Sequence, residues 1–450
     1  MTRSRISLRE YGRVHVGAFD PSKPSVTSEQ AAFLTGLRAR HGFDVFRWTN
    51  RHTIAAQQYV GTVQVGDVTF EVLPKIEADT GSPDETTIRR NLVAMLMTAR
   101  GLQVSEGDIA RVAVQQHGIL EILIRHFCDR LFAQVYRGLV HRYEQRDEQL
   151  AVLRGRLDLG AHLRLNAANP ERLYCRFDEF QADNDLNRVL KAALRLLFRV
   201  ANDPDNQRRV AELLLAFDGI SDVPAASLPW HRIGFDRLGE RYRPAFRLAE
   251  LFLKSKAPDV AAGAQHGVSL FFDMNSLFEE YIGRVAARVF RPSGIEVRLQ
   301  GPQRFIATDE SNGTRAFAMR PDVIGMRDGR AVWIVDTKWK QLSPDEVRDG
   351  TAQADVYQMF AYASSYGCPD VVLLYPHHSG LGTQSGTRAS YQFQTAISTP
   401  DGLAGGRLRV ATIDLGRLDS IPMQLQALFA GQPAHNAGTC RVSTGAIVAN

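Results

Sequence analysis

The sequence predicts an α+β chain of several domains: a β-rich amino-terminal domain, a helical middle domain and a carboxy-terminal α/β domain with a mixed central sheet. Three observations predict it. Residues 1–82 are rich in Val and Thr and carry a Gly-Asp hairpin signal at 66–67, most plainly in "HTIAAQQYVGTVQVGDVTFEVLPKI". Residues 83–250 repeat apolar side chains at three- and four-residue spacing. Beyond "KSKAPDVAAGAQHG" (254–267), a small, polar linker with Gly and Pro, helices and short strands alternate. The 450 residues suit two or three domains. The expected boundaries are 1–82, 83–262 and 263–432, with a flexible tail over 433–450.

In chain order, one helix interrupts the first β-rich stretch, from Thr27 or Ser28 to His41. Helical periodicity then runs through "GILEILIRHFCDRLFAQVYRGLVHRY" and "LNRVLKAALRLLFRVA", the second opened by "DNDLN" with Asp or Asn as its cap. "MNSLFEEYIGRVAARVF" predicts a helix capped by Asn275. Strands follow at "EVRLQ", "AFAMRPDVIGM" and "AVWIVDTKW", then a helix over "SPDEVRDGTAQADVYQMFAYASSY". "DVVLLYP", "SYQFQTA" and "LRVATIDL" complete the strands, and "IPMQLQALFAG" is the last helix.

Composition excludes several classes. With 44% hydrophobic and 23% charged residues the chain is globular, and its net charge of +5 is compatible with a polyanionic partner. Its bases are 47 Arg and seven Lys, a bias that suits phosphate contacts and equally reflects genome base composition. Cys128, Cys175, Cys368 and Cys440 form no C-x-x-C pair, so no zinc knuckle or disulfide framework is indicated. No Gly precedes a Lys, which rules out a G-x-x-x-x-G-K-[ST] phosphate loop and with it a nucleotide site of that kind. Neither a signal-peptide h-region nor a membrane-length apolar run is present, so a soluble cytoplasmic protein is expected.

The chemistry gathers around "AVWIVDTKWK" (331–340). On a strand, residues two apart share a face, so Asp336 and Lys338 stand together and Thr337 points away. Pro321-Asp322 precedes them by one hairpin, through the Asp-Gly turn of "RDGR", so Asp322 and Asp336 can share a face. Two carboxylates there, with a Thr337 carbonyl, suit Mg²⁺, or Mn²⁺ in its place. Lys338 would orient or deprotonate a water, or steady charge on a phosphate. The following helix carries Asp355, Gln358 and Tyr362 on one face. A D-x-K tripeptide alone arises by chance about once in such a chain. The alternative reading of this set is a surface hairpin with an ion pair of about 1 kcal/mol.

Asp322…Asp336-x-Lys338 with Gln358-x-x-x-Tyr362 resembles the PD-(D/E)xK nuclease superfamily. "FFDMNSLFEEYI", "RPDVIG", "WIVDTKWK" and "ADVYQMFAYA", with "VLPKI", "LRGRLDL" and "FDEFQADNDLNRVLKAAL" upstream, resemble the McrC family, the nuclease subunit of 5-methylcytosine-dependent (type IV) restriction systems. The resemblance covers roughly residues 70–365. It implies a restriction-endonuclease-like fold for the last domain, Asp322 and Asp336 as metal-binding carboxylates, and Lys338 as base or water-orienting residue. It further implies that Glu279 lies on a helix behind the site, reaching the metal directly or through water, with Gln358 and Tyr362 supporting the site or touching the DNA backbone. The implied partners are double-stranded DNA, methylated or otherwise modified, and a McrB-like AAA+ GTPase hexamer docked on the first two domains.

Other features read as structural. His377-His378 is a loop pair, and Asp183, Asp185 and Asn187 lack the Gly and Glu a calcium loop needs. Pro74-Lys75 fits structure or a partner surface. Two other functions use the same residues: a RecB-like repair or recombination nuclease working with an ATP-dependent helicase, and a non-catalytic activator of the GTPase.

Overall fold

The computed structural model describes residues 4–17, 24–65, 68–76, 84–102, 118–166, 169, 171–237, 239–254, 269–400 and 402–429. The Gly66-Asp67 turn, residues 255–267 of the expected linker and the tail from 433 lie outside these. The chain divides into two compact units, one running to Leu277 and one from Phe278 onward.

Two four-stranded sheets build the start of the first unit. One is ordered Ser4–Arg9, Val68–Leu73, Tyr59–Val65, Ser269–Asp273, its first pair parallel and the others antiparallel. Its last strand comes from far along the chain, and Gly61 is needed to admit it: a Cβ there would lie 1.9 Å from the Leu270 carbonyl oxygen. The other comprises Ser25–Val26, Arg13–Val16, Thr53–Ala56 and Phe46–Asn50. Both share one apolar core that includes Leu8, Val14, Leu34, Phe46, Ile54 and Phe70. The expected helix runs Ser28–Gly36, with a short turn at Arg38–His41. Thr27 opens it with a capping box, its hydroxyl accepting from Gln30 N at 3.2 Å while Gln30 Oε1 accepts from Thr27 N at 3.0 Å.

The middle stretch is helical over Glu85–Ala99, Ile119–Val135, Asp185–Val200, Pro204–Ala216 and Arg243–Lys254. It is not helical throughout. Arg142–Leu150, Arg156–Leu157 and Leu173–Gln181 form an antiparallel sheet. The helix expected to reach Tyr143 stops at Val135, and Gly138 (φ 88°) turns the chain in the left-handed region just beyond. The strand that follows, "RYEQRDEQL", is polar on both faces, so no apolar alternation announces it. Asn184 caps Asp185–Val200 as expected, its side chain accepting from Asn187 N. Cys128, Cys175 and Cys368 are buried free thiols, and burial pushes Cys128 and Cys368 up to about 12.

Helix α1 (Met274–Phe290) carries the chain into the second unit. Its cap is Asp273 rather than Asn275: Asp273 Oδ1 accepts from the N–H groups of Asn275 and Ser276. Apart from a small hairpin of Ile397–Thr399 with Gly402–Ala404, the strands that follow are β1 (Glu296–Leu299), β2 (Arg304–Thr308), β3 (Arg315–Met319), β4 (Val323–Arg327), β5 (Arg330–Thr337), β6 (Asp370–Pro376), β7 (Gly386–Gln392) and β8 (Arg407–Ile413). Six of them make the expected mixed sheet, ordered β1-β4-β5-β6-β8-β7, with β5-β6 and β6-β8 parallel. The run "AFAMRPDVIGM" is two strands, since Pro321, which has no N–H, parts β3 from β4.

Alternate residues of β5 serve the two faces of this sheet. Ile334 joins Ile324, Val371 and Leu373 under helix α2 (Gln353–Tyr366), which supplies Met359 and Tyr362. Trp333 turns the other way, its ring 5.3 Å from Phe290 of α1 and 4.7 Å from Phe429 of helix α3 (Ile421–Phe429). The helix expected from Ser343 starts only at Gln353. Arg348 (φ 58°) and Asp349 (φ 54°) are left-handed, which no α-helix accommodates.

Candidate active site

The β4–β5 hairpin sets the first two acids. Asp328 (φ 51°) and Gly329 (φ 77°) make its two-residue turn, which pairs Met326 with Ala331. Continued regularly, that pairing would put Asp322 opposite Val335. One extra residue intervenes. Val332 is skipped, Gly325 pairs with Trp333 and Val323 with Val335, so the next position, Asp322, faces Asp336. The bulge brings the two carboxylates to one place.

Asp322 Oδ2 accepts from both Thr337 N and Thr337 Oγ1, each at 2.8 Å. Thr337 therefore does not turn away, as simple alternation requires; its hydroxyl and N–H close on the acid. Burial raises the Asp322 pKa, against these two bonds and the nearby Lys338. Asp336 is buried, and burial together with the neighbouring Asp322 pushes it up to about 6. Lys338 Nζ lies 2.7 Å from Asp336 Oδ2, a close ion pair that draws the Asp336 pKa back down against burial and Asp322.

Lys338 leaves the end of β5, held by its N–H on the Leu374 carbonyl. Its ammonium donates to Gln358 Oε1 at 3.2 Å and lies 3.6 Å from Asp355 Oδ1. Burial pulls its pKa down, yet Asp336, Asp355 and Asp322 outweigh burial and hold it above the ordinary lysine value. Gln358 Nε2 in turn donates to Tyr362 OH, and Tyr362 OH to the Arg320 carbonyl, at 2.8 and 2.9 Å. The structure thus gathers Asp322, Asp336, Thr337, Lys338, Asp355, Gln358 and Tyr362 at the carboxy-terminal end of β5.

Glu279, on α1, is pushed up to about 7 by burial first, then by Asp322, Glu280 and Asp336. The field of both aspartates reaches it, which ties it to the same acidic group. Gln300, which sequence reading missed, connects the two: its Nε2 donates to Glu279 Oε1 at 2.8 Å and its N–H to the Asp322 carbonyl at 2.8 Å. Its left-handed backbone (φ 50°) permits both, and no residue pattern announces that turn.

Would these residues fit a metal ion? Among the described residues no three His, Cys, Asp or Glu side chains are gathered closely enough to hold one by themselves. Two carboxylates are, Asp336 buried and Asp322 partly so, and Asp322 raises the pKa of both Asp336 and Glu279. That donor set is hard, anionic and short of a cation. It fits an ion that takes two carboxylates and completes its shell with water, the habit of Mg²⁺.

The features set aside by sequence are satisfied structurally. His377 bonds Thr412 Oγ1 and the Gly382 carbonyl, and His378 the Leu342 carbonyl. Asp183 holds Arg188 and Ser221, and Lys75 N donates to Glu10.

A family model described as McrBC 5-methylcytosine restriction system component matches residues 54–376, well over half of the chain. The chain belongs to this family. The span matched to the McrBC family contains every candidate site residue named above. No curated protein matches the chain. Among solved structures it is similar to a chain of the "refined half-complex from tetradecameric assembly of Thermococcus gammatolerans McrB AAA+ hexamers with bound McrC". That match has 20% identity and a TM-score of 0.65, over 95% of this chain and 99% of that one. This likeness is one of fold. A chain of the cryo-EM structure of the Thermococcus gammatolerans McrBC complex matches at 25% identity and a TM-score of 0.49, over 64% of this chain and 88% of that one.

Proposed function

We propose that this McrBC-family chain is the metal-dependent DNA endonuclease subunit of a modification-dependent restriction complex. It hydrolyses phosphodiester bonds in methylated or otherwise modified double-stranded DNA when driven by a McrB-like AAA+ GTPase hexamer. One observation carries the reading: the bulged hairpin brings Asp322 against Asp336, with Lys338 and Gln358 completing the group at one end of a mixed sheet. This grouping supports the PD-(D/E)xK reading of the motif.

Asp322 and Asp336 would hold Mg²⁺, with the Thr337 carbonyl adding an oxygen and Glu279 reaching it directly or through water; Mn²⁺ would substitute. The ion's contribution is to make a hydroxide nucleophile accessible near neutral pH. In the hydrolysis a water oxygen bonds to phosphorus, one P–O ester bond breaks, the leaving oxygen takes up a proton from solvent, and the attacking water's proton leaves to solvent. Lys338 is held as an ammonium, so it suits orienting that water and steadying charge on the phosphate rather than taking the proton. Gln358 fixes the ammonium's position and Tyr362 fixes Gln358. Asp355 adds a second carboxylate to hold the charge in place.

The absence of a phosphate loop from the sequence supports dependence on a partner for nucleotide hydrolysis. The solved relative's assembly, McrB AAA+ hexamers with bound McrC, supports a partner of that kind. The family match supports the GTPase setting over a RecB-like, helicase-coupled one.

The test mixes the purified chain, its GTPase partner, methylated plasmid, GTP and Mg²⁺. Wild type is expected to cut, and Lys338→Ala to slow cutting by about 10²- to 10³-fold while still stimulating the GTPase. Cleavage by Lys338→Ala at the wild-type rate would move the chemistry elsewhere. Cleavage supported by ATP and not GTP would return the helicase-coupled reading.

A further inference from the structure

Strands β2 and β3 form a two-stranded arm, separate from the central sheet. Its base is fastened to α2. Tyr366 OH donates to the carbonyls of Pro302 and, at 3.1 Å, Met319; Tyr362 OH donates to that of Arg320; the Arg304 guanidinium donates to that of Ser365. Helix α2 also carries Gln358, and β3 leads through Arg320 and Pro321 directly into Asp322. Arm and catalytic group therefore share one support.

Beyond this base the arm is mostly exposed. Its pairing links Arg304 with Met319, Phe305 with Ala318, Ala307 with Ala316 and Thr308 with Arg315. Ile306 and Phe317 occupy the one rung left unpaired, 61% and 72% exposed. Phe317 has φ 57°, a conformation that is costly for an aromatic residue. A scattered exposed apolar residue is ordinary. An apolar pair on a strained rung, a few residues from the catalytic acid, is not. Arg315 and Arg320 flank it, and neither forms an ion pair with a described acid; Arg320 donates to Gln303 and Arg315 lies over the Phe305 ring. The acids of the tip, Asp309 and Glu310, follow Thr308, the partner of Arg315, and Asp309 is committed to Ser311 and Asn312.

We infer that the arm grips duplex DNA beside the scissile phosphate, with Phe317 and Ile306 pressed into the base stack and Arg315 and Arg320 on the adjoining phosphates. This rests on the nuclease reading and adds to it the contact that holds and distorts the substrate. Cations bracketing an apolar wedge match a polyanion with an aromatic interior, which is what a duplex presents.

The test uses the chain assembled with its GTPase partner and a duplex bearing 2-aminopurine, in EDTA so that DNA is not consumed. Wild type is expected to raise the fluorescence as the base unstacks. Phe317→Ala is expected to abolish that rise and weaken binding about tenfold. Phe317→Gly should do the same while raising Tm, because glycine relieves the backbone strain. That split separates a lost contact from a lost fold. Arg315→Gln should reduce the salt dependence of binding by about one phosphate contact. A wild type that unstacks the base yet never cuts in Mg²⁺ defeats the nuclease reading and leaves the arm assigned to DNA. Phe317→Ala with wild-type fluorescence and affinity overturns the arm's assignment. So does a variant that loses the GTPase partner while binding DNA normally, which would give the arm to a protein.

Discussion

Asp322 and Thr337 show how finely the site is set by single atoms. Thr337→Val removes one of two donors to Asp322 Oδ2 and keeps the backbone one. Cleavage should fall several-fold without being lost, in line with about 1 kcal/mol for one hydrogen bond, as measured by single-turnover rates. The acids make a second prediction. Asp336 (about 6) and Glu279 (about 7) have folded pKa values above their unfolded ones, so the free chain binds extra protons between about pH 4 and 7. Their contribution to stability is therefore greatest at the acid end of that window and declines as pH rises through the folded values. A divalent cation should reverse the trend by displacing those protons. Calorimetric titration with Mn²⁺ should show tighter binding at pH 8 than at pH 6 and protons released to buffer, with less release from Glu279→Gln. Equal affinity and no proton release would show that the ion does not bind these acids. Asp336-x-Lys338 and Asp322 were legible in sequence because a strand and a turn have fixed periods. Gln300 was not, since its role depends on a left-handed backbone at an unremarkable position.

Among elements, the hairpin and the helix behind it depend on two glycines. A Cβ on Gly325 would lie 2.3 Å from the Trp333 ring, which is buried against Phe290 and Phe429 and has no room to yield. Gly325→Ala should cost about 1–3 kcal/mol, read as a lower urea midpoint at unchanged m-value. On α1, a Cβ at Gly283 would meet Leu299 of β1 at 2.5 Å. Gly283→Ala should push α1, one turn from Glu279, off the sheet, and weaken cleavage more than stability because Leu299 can partly move aside. Most elements of the second unit were legible from apolar runs and turn residues. The late start of α2 was not, because "SPDEVRDG" reads as helix-compatible while two of its residues are left-handed. The bulge at Val332 was equally hidden. It arises from competition between turn and core packing over register, and without it Asp322 would lie opposite Val335.

For the whole molecule, the sequence conveyed the α+β class and the mixed last sheet, but not the long-range closures. The strand Ser269–Asp273 completes a sheet begun at Ser4, and a polar three-stranded sheet stands among helices. Both depend on tertiary pairing that local periodicity does not encode. The buried thiols now acquire a use. A thiol pushed up to about 12 is almost wholly protonated at neutral pH, and only the thiolate reacts with alkylating reagents. Cys128 lies in the first unit and Cys368 in the second, so each should label only when its own unit opens. Alkylation across a urea series, read by peptide mass spectrometry, should yield a separate unfolding curve for each half of one unaltered chain. Rapid labelling of Cys128 or Cys368 in native buffer would contradict their burial. Carried out with and without Mn²⁺, the same experiment should move the Cys368 curve to higher urea more than the Cys128 curve, turning two inert sulfur atoms into gauges of where an ion's binding energy is felt.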